Sequence, residues 1–292
     1  MQPGYMPLLA IGLAAALMVS GCAIPDVSGQ TEDVYYEYPA GGVENLIVEN
    51  RNGGVQVYLW DQDRIQIHAL KRTPFGGDEL AKVNISAEVD NNLTVRTVYR
   101  ESPAQVSVDY TIQIPARLAA VRIDSSNGAI DLNGVAGDAY AATSNGRVQV
   151  HNVSGNVDAR TSNGKVDIRN VGGTASVRTS NGRVIVLNVS ALSGIETSNG
   201  EIAAEILSLP SDITLRTSNG EINVAFPADG LDAGIAADTS GGGRIMIQSI
   251  PINVSEQTDT HFRGTLKDGG ATITLQTSNA NIVISREPLT GY

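Results

Sequence analysis

Between Val121 and Val224 the sequence returns to an apolar side chain every nine residues, and that beat excludes most folds. Set in blocks of nine, the segment opens new blocks at Val121, Ile130, Ala139, Val148, Val157, Val166, Ala175, Val184, Ser193 and Ile202. After a two-residue insertion near Pro210 the phase resumes at Ile213 and Ile222. Position three of the twelve blocks is always apolar: Ile123, Leu132, Ala141, Val150, Ala159, Ile168, Val177, Val186, Ile195, Ala204, Leu215 and Val224. Residues between them, such as Asp131, Gln149, Asp158 and Asp167, are polar. Alternation with period two marks strands with one buried face. Position eight is mostly glycine, from Gly128 and Gly137 through Gly146, Gly155 and Gly164 to Gly200. We expect it to supply the positive φ of a sharp turn. Position six alternates Ser126, Val135, Ser144, Val153 and Ser162, so the full period is eighteen residues in two halves.

Asn-Gly between alternating strands also signals a β-hairpin. Hairpins, however, give no reason to hold an identical nine-residue beat. A solenoid does, because each coil must align its corners with those of the coil below. The expected fold is therefore all-β: a single-stranded parallel β-solenoid with coils of eighteen residues and a β-rich N-terminal cap. Coils would stack ~4.8 Å apart. Asn127, Asn145, Asn163, Asn181, Asn199 and Asn219 then form one column whose amides hydrogen-bond upward, a turn ladder that is scaffold and not a ligand site. Calcium-binding nonapeptide repeats need an aspartate two residues before the apolar position. Here that place is taken by Gly164 or Val166, so calcium is rejected. His68, His151 and His261 are far apart in sequence, and neither a metal nor a cofactor is expected.

The chain has one cysteine, Cys22, so no intrachain disulfide can form. Leu8 to Val19 is an apolar run of signal-sequence length, too short to span a bilayer comfortably. It ends in Val19-Ser20-Gly21-Cys22, which resembles the lipobox of bacterial lipoproteins. The resemblance implies a diacylglyceryl group on the Cys22 thiol, and hence a membrane partner. By bacterial sorting rules Ala23 at the next position favours the outer membrane, placing the chain there or at the cell surface. The n-region, unusually, carries no Lys or Arg.

The expected organisation is a lipoprotein signal at 1–21, a tether at 22–42, and an N-terminal β cap with a first degenerate coil at 43–118. The regular solenoid follows at 119–248, then a final coil and C-terminal cap at 249–292. Net charge is −11, which argues against nucleic acid, since phosphate contacts need clustered cations.

Tyr110 to Pro115, followed by serial Ser-Asn-Gly turns, resembles a bacterial and archaeal domain family of unknown function described as candidate adhesins. The resemblance covers roughly residues 43 to 287 and implies a solenoid displayed at the cell envelope. It brings no defined functional residues. Candidate ligand contacts are instead read from the outward rows. After each Asn-Gly stand Arg147, Lys165 and Arg183, then Glu201 and Glu221; Arg160, Arg178, Glu196 and Arg216 form a neighbouring column. Such a stretch could meet an anionic envelope glycan or a surface protein, although ladder ion pairing explains it as well. Ile185, Leu187 and Ala203 would make a small outward apolar patch. Asn-x-Ser/Thr sequons occur at Asn84, Asn92, Asn152, Asn188 and Asn253.

A polysaccharide-modifying enzyme is the alternative. It would draw on Asp124 and Asp158 on one sheet, or Asp131 and Asp167 on the other. Within each pair the carboxylates stand two coils apart, ~9.6 Å, wider than an acid–base pair ordinarily is. A non-catalytic binding or structural module is the expected function.

Overall fold

The computed structural model describes residues 29–226, 231–289 and 291–292; the apolar leader, the lipobox and Cys22 lie outside the described residues. Odd blocks pair in parallel: Ala120–Asp124 with Asp138–Thr143, and that strand with Val157–Thr161. The register is eighteen residues, Val121 opposite Ala139 and Ala139 opposite Val157. We call this the front sheet. Even blocks do the same in a back sheet, where Leu132, Val150 and Ile168 align. Val166–Arg178 and Val184–Glu196 each run from the back sheet into the front sheet. All twelve position-three side chains are at most 1% exposed and belong to one continuous core. Burying a Val, Ile or Leu side chain contributes roughly 1.5–3 kcal/mol, so the inward rows hold the coils together.

The Thr-Ser-Asn-Gly corner gives each residue a separate task. Threonine faces inward: Oγ1 of Thr143, Thr161 and Thr217 donates to the carbonyls of Gly128, Gly146 and Gly200 at 3.1, 2.9 and 2.9 Å. Serine lends its backbone, the carbonyls of Ser126 and Ser144 accepting from the N–H of Asn145 and Asn163 one coil on. Asparagine makes the ladder. From Asn279 through Asn219, Asn199, Asn181, Asn163, Asn145 and Asn127 to Asn52, each Nδ2 donates to the next Oδ1 at 2.6–2.9 Å.

Glycine departs from the expectation. Gly128, Gly146 and Gly164 do not adopt positive φ. A Cβ on Gly146 would instead lie 2.0 Å from the Gly128 carbonyl oxygen, and one on Gly164 1.9 Å from that of Gly146. The corner needs glycine because backbones of adjacent coils touch there. Left-handed residues occur in the other half-coil, at Asn152, Asn170 and Asn188 with φ of 57°, 57° and 52°. With Asn133 they build a second amide ladder at 2.7–2.9 Å.

Both ends of the stack depart from chain order. Asn45–Glu49 lies between Ala120–Asp124 and Asn92–Tyr99, and Val55–Leu59 lies between Ile130–Val135 and Ser107–Ile114. The first coil is thus sandwiched between two later ones. Arg64–Thr73 then caps the back sheet antiparallel to Ser107–Ile114, with Gln30–Pro39 outside it. Val83–Val89 caps the front sheet. Residues 30–39, read from sequence as tether, are therefore strand, because Val34, Tyr36 and Tyr38 alternate onto the core. The far end mirrors this. Ala271–Gln276 and Ile282–Ser285 insert directly on Ile213–Arg216 and Ile222–Ala225, and push Ala233–Asp238 and Ile245–Gln248 outward. An antiparallel pair, His261–Leu266 and Asn253–Gln257, covers the front sheet there.

Candidate functional site

The pleat that buries position three turns positions two and four to solvent, and on the front sheet they make a continuous trough. Position two presents Arg122, Tyr140, Asp158 and Ser176, with Thr214 further along; position four presents Arg160, Arg178, Glu196 and Arg216. Tyr140 lies between two guanidiniums, Arg122 at 3.8 Å and Arg160 at 5.6 Å from its ring centroid. These cations also bind neighbouring carboxylates, Arg122 to Asp124 and Arg160 to Asp158, both at 2.7 Å. Around Tyr140 is a shallow groove of about 450 Å³ that reaches Ser176 and Ser193. A second, of about 420 Å³, continues from those serines past Gly194 to Thr214, Arg178 and Arg216. Arg178 is loosely held, 4.0 Å from Glu196 with its side chain 59% exposed. No carboxylate among the described residues lies within 4.0 Å of Arg216.

The back face carries the other predicted row and treats it differently. Lys165 binds Asp167 at 2.9 Å, Arg169 binds the same carboxylate at 2.7 Å, and Asp167 is buried. Burial pushes the Asp167 carboxyl up; hydrogen bonds from Arg169 and Lys165 outweigh this and hold it below the usual range. Arg183 binds Glu201 at 2.8 Å and lies 5.9 Å from the ring centroid of Tyr292. Of the cations in this row, among the described residues, only Arg147 has no carboxylate within 4.0 Å. It lines a cleft of about 340 Å³ with His68, Arg72, Asp109 and Asp131. The two cation columns that adjoin in sequence are thus separated by the corner, Arg160 and Arg178 before it and Lys165 and Arg183 after it.

The outward patch also changes. Ile185 and Ala203 point to the outer face yet are 1% and 0% exposed. On the strand that carries Ala203, Glu205 Oε1 accepts from Leu289 N–H at 3.2 Å, and just before that strand Glu201 Oε1 accepts from Tyr292 OH at 2.8 Å. Asn152 and Asn188 of the sequons are engaged in the second ladder.

Sequence reasoning missed Arg122, Tyr140 and Tyr292. Arg122 and Tyr140 had a usable signal, since they share a block position with Asp158 at the eighteen-residue period. Among the described residues, no three His, Cys, Asp or Glu side chains gather into a metal site.

Two parallel sheets joined by corner ladders, with outer faces that hold their charges differently, define a non-globular repeat protein. The chain belongs to the family described as Toastrack DUF4097, whose profile matches residues 39–285. It is similar to solved structures of low identity. One is a candidate cell adhesion protein from Clostridium sporogenes: 10% identity, 88% of this chain and 100% of that one, TM-score 0.23. Another is a candidate adhesin from Bacteroides fragilis: 12% identity, 88% and 97% covered, TM-score 0.41. A third, from Parabacteroides distasonis, is also a candidate adhesin: 13% identity, 88% and 97% covered, TM-score 0.36. No curated protein matches the chain.

Proposed function

We propose that this chain is a cell-envelope binding module, held to the membrane through a lipid on Cys22, whose front trough receives an elongated anionic glycan. One observation carries the reading: the front groove holds two guanidiniums that no carboxylate grips closely, whereas Lys165 and Arg183 of the back face are each bound to one. Lys165 and Arg183 are committed to Asp167 and Glu201, whereas Arg178 and Arg216 line a groove with Ser176, Ser193 and Thr214. Hydroxyls beside weakly paired guanidiniums suit a polymer of sugar hydroxyls and carboxylates or phosphates. The trough runs along the strand-stacking direction, so a longer ligand can add contacts.

A non-catalytic role accords with the aspartates. Asp124 and Asp158 are each bound by a guanidinium, and they stand two coils apart. Neither is poised as a free acid or base.

The test compares charge reversals on the two faces. Arg178→Glu with Arg216→Glu should abolish retention on an immobilised polyanionic glycan, and Lys165→Glu with Arg183→Glu should change it less. Equal loss from both pairs, or none from either, refutes the front-face assignment. For the anchor, Cys22→Ser should move the chain from the membrane fraction to the soluble fraction.

A further inference from the structure

The outer face of the back sheet has a gap beside its N-terminal cap. Hydrogen bonds put Asp109, Gly54, Ala129 and Arg147 next to one another in a row across four strands. Tyr110 N–H donates to the Gly54 carbonyl, Val55 N–H to that of Ala129, and Ile130 N–H to that of Arg147. Leu70 extends the row on the far side of Asp109 and is half-buried. The next outward row holds Thr111, Gln56 and Asp131. Gly54 and Ala129 raise at most a methyl group above the pleat, so Asp109 and Arg147 stand on opposite sides of two strands of low floor. The cleft between them has a volume of about 340 Å³, at the small end of ligand pockets.

Most of the charged groups lining this cleft are already paired. Arg72 binds Asp109 at 2.9 Å, and Asp109 Oδ1 also accepts from the Gly54 N–H at 2.7 Å. His68 Nε2 lies 2.6 Å from Asp33 Oδ1, and its ring stacks on Tyr35 with centroids 4.5 Å apart. Two groups are left over. Among the described residues, Arg147 has no carboxylate within 4.0 Å and Asp131 has no cationic group within 4.0 Å. They are diagonal neighbours on adjacent strands, since Arg147 immediately precedes Val148, the partner of Ile130. Strand spacing and rise then put their Cβ atoms ~8 Å apart. One guanidinium and one carboxylate thus border the same cleft without pairing.

We infer that this cleft binds a free aliphatic α-amino acid, Arg147 taking its carboxylate, Asp131 its ammonium group, and Leu70 and Ala129 its side chain. A guanidinium presents paired N–H donors that match a carboxylate, and an ionised carboxylate accepts from an ammonium group. A ligand with a single charge would satisfy one of the two protein groups and leave the other covered and unpaired, which is unfavourable. A zwitterion satisfies both, and an α-amino acid carries its two charges close together on one carbon, between the two side chains. The site shares no residue with the front trough and needs no lipid on Cys22, so it stands independently of the proposed function.

Titration calorimetry of the full chain with L-leucine, L-leucinamide and N-acetyl-L-leucine provides the test, since the amide lacks the carboxylate and acetylation removes the ammonium charge. Leucine should bind saturably, and each analogue about tenfold more weakly for one lost charge-assisted contact. Arg147→Gln and Asp131→Asn should each weaken leucine by a similar factor. Ala129→Leu fills the floor, leaves both charges in place and should abolish binding. All three positions lie on the outer face, and unfolding midpoints equal to wild type show that the variants are folded. Absence of saturable leucine binding at millimolar concentrations overturns the inference. So does either analogue binding as tightly as leucine, which makes the cleft a site for a single charge, or undiminished leucine binding by Ala129→Leu.

Discussion

The front and back sheets are made by the two halves of the same repeat, yet their outer faces hold their charges differently. Their inner rows do not differ: Val177 and Val186 are equally buried. The difference lies in how the outward residues pair, along one strand or across ~4.8 Å of stacking. On the back, Asp167 stands between Lys165 and Arg169 along one strand, and three charges satisfy each other locally. On the front, Arg178 and Glu196 follow one another in a column on flexible, exposed side chains and meet only at 4.0 Å. Exposed pairs of that kind contribute little. Inward residues set the fold for both faces; what each face can bind is decided by pairing among residues that the fold leaves free.

The largest effect should come from the corner the faces share. Gly164→Ala places a methyl 1.9 Å from a backbone oxygen that has no room to retreat. It should cost about 4 kcal/mol, at the destabilising extreme for single substitutions, and weaken both faces together in chemical denaturation. A cost below about 1 kcal/mol would show that the coils can separate there. Next comes Asp167→Ala, which acts on the back face alone. It strands Lys165 and Arg169 without their common partner, for a loss of about 2 kcal/mol. Because the folded carboxyl titrates below its ordinary value, its contribution is complete above the usual carboxylate range and is lost as pH falls through the folded value. The wild type should therefore approach the variant's stability on acidification, and a constant gap down to pH 2 would contradict this. Smaller in stability but sharper in function is the front pair, Arg178→Glu with Arg216→Glu. Surface changes of this kind stay within about 0.5 kcal/mol, while glycan retention and its salt dependence should disappear.

Much of this was legible before any coordinates. The inward rows and the asparagine column follow from counting nines, because a parallel stack demands identity only where neighbours touch. Glycine at the corner was legible as a requirement but not as a cause. A lone letter cannot distinguish positive φ from a close backbone approach, and the left-handed positions went to Asn152, Asn170 and Asn188. Placement of the end coils was hidden because parallel pairing is non-local, although a clue existed. Thr277-Ser278-Asn279 carries the ladder residue and so belongs beside Asn219, whereas Thr239-Ser240-Gly241 lacks it and lies outermost. The burial of Ile185 and Ala203 and the pairing of Tyr292 with Glu201 had no signal, since nothing in Tyr292 names so distant a partner.

The corner threonines repeat the lesson of the two faces on the smallest scale. Thr161 and Thr179 occupy the same motif position and are buried to nearly the same degree, 6% and 8% exposed. Thr161 Oγ1 donates to the Gly146 carbonyl at 2.9 Å, while Thr179 Oγ1 has no hydrogen-bond partner. Valine matches threonine in shape and removes only the hydroxyl. Thr161→Val should then cost about 1 kcal/mol for a lost buried hydrogen bond. Thr179→Val should be neutral or stabilise by up to about 1 kcal/mol, since an unsatisfied buried hydroxyl is itself unfavourable. Paired denaturation curves decide it. Equal losses would mean that motif identity alone governs the corner; opposite signs would mean that satisfaction does, coil by coil, as it does for the cations of the front and back rows.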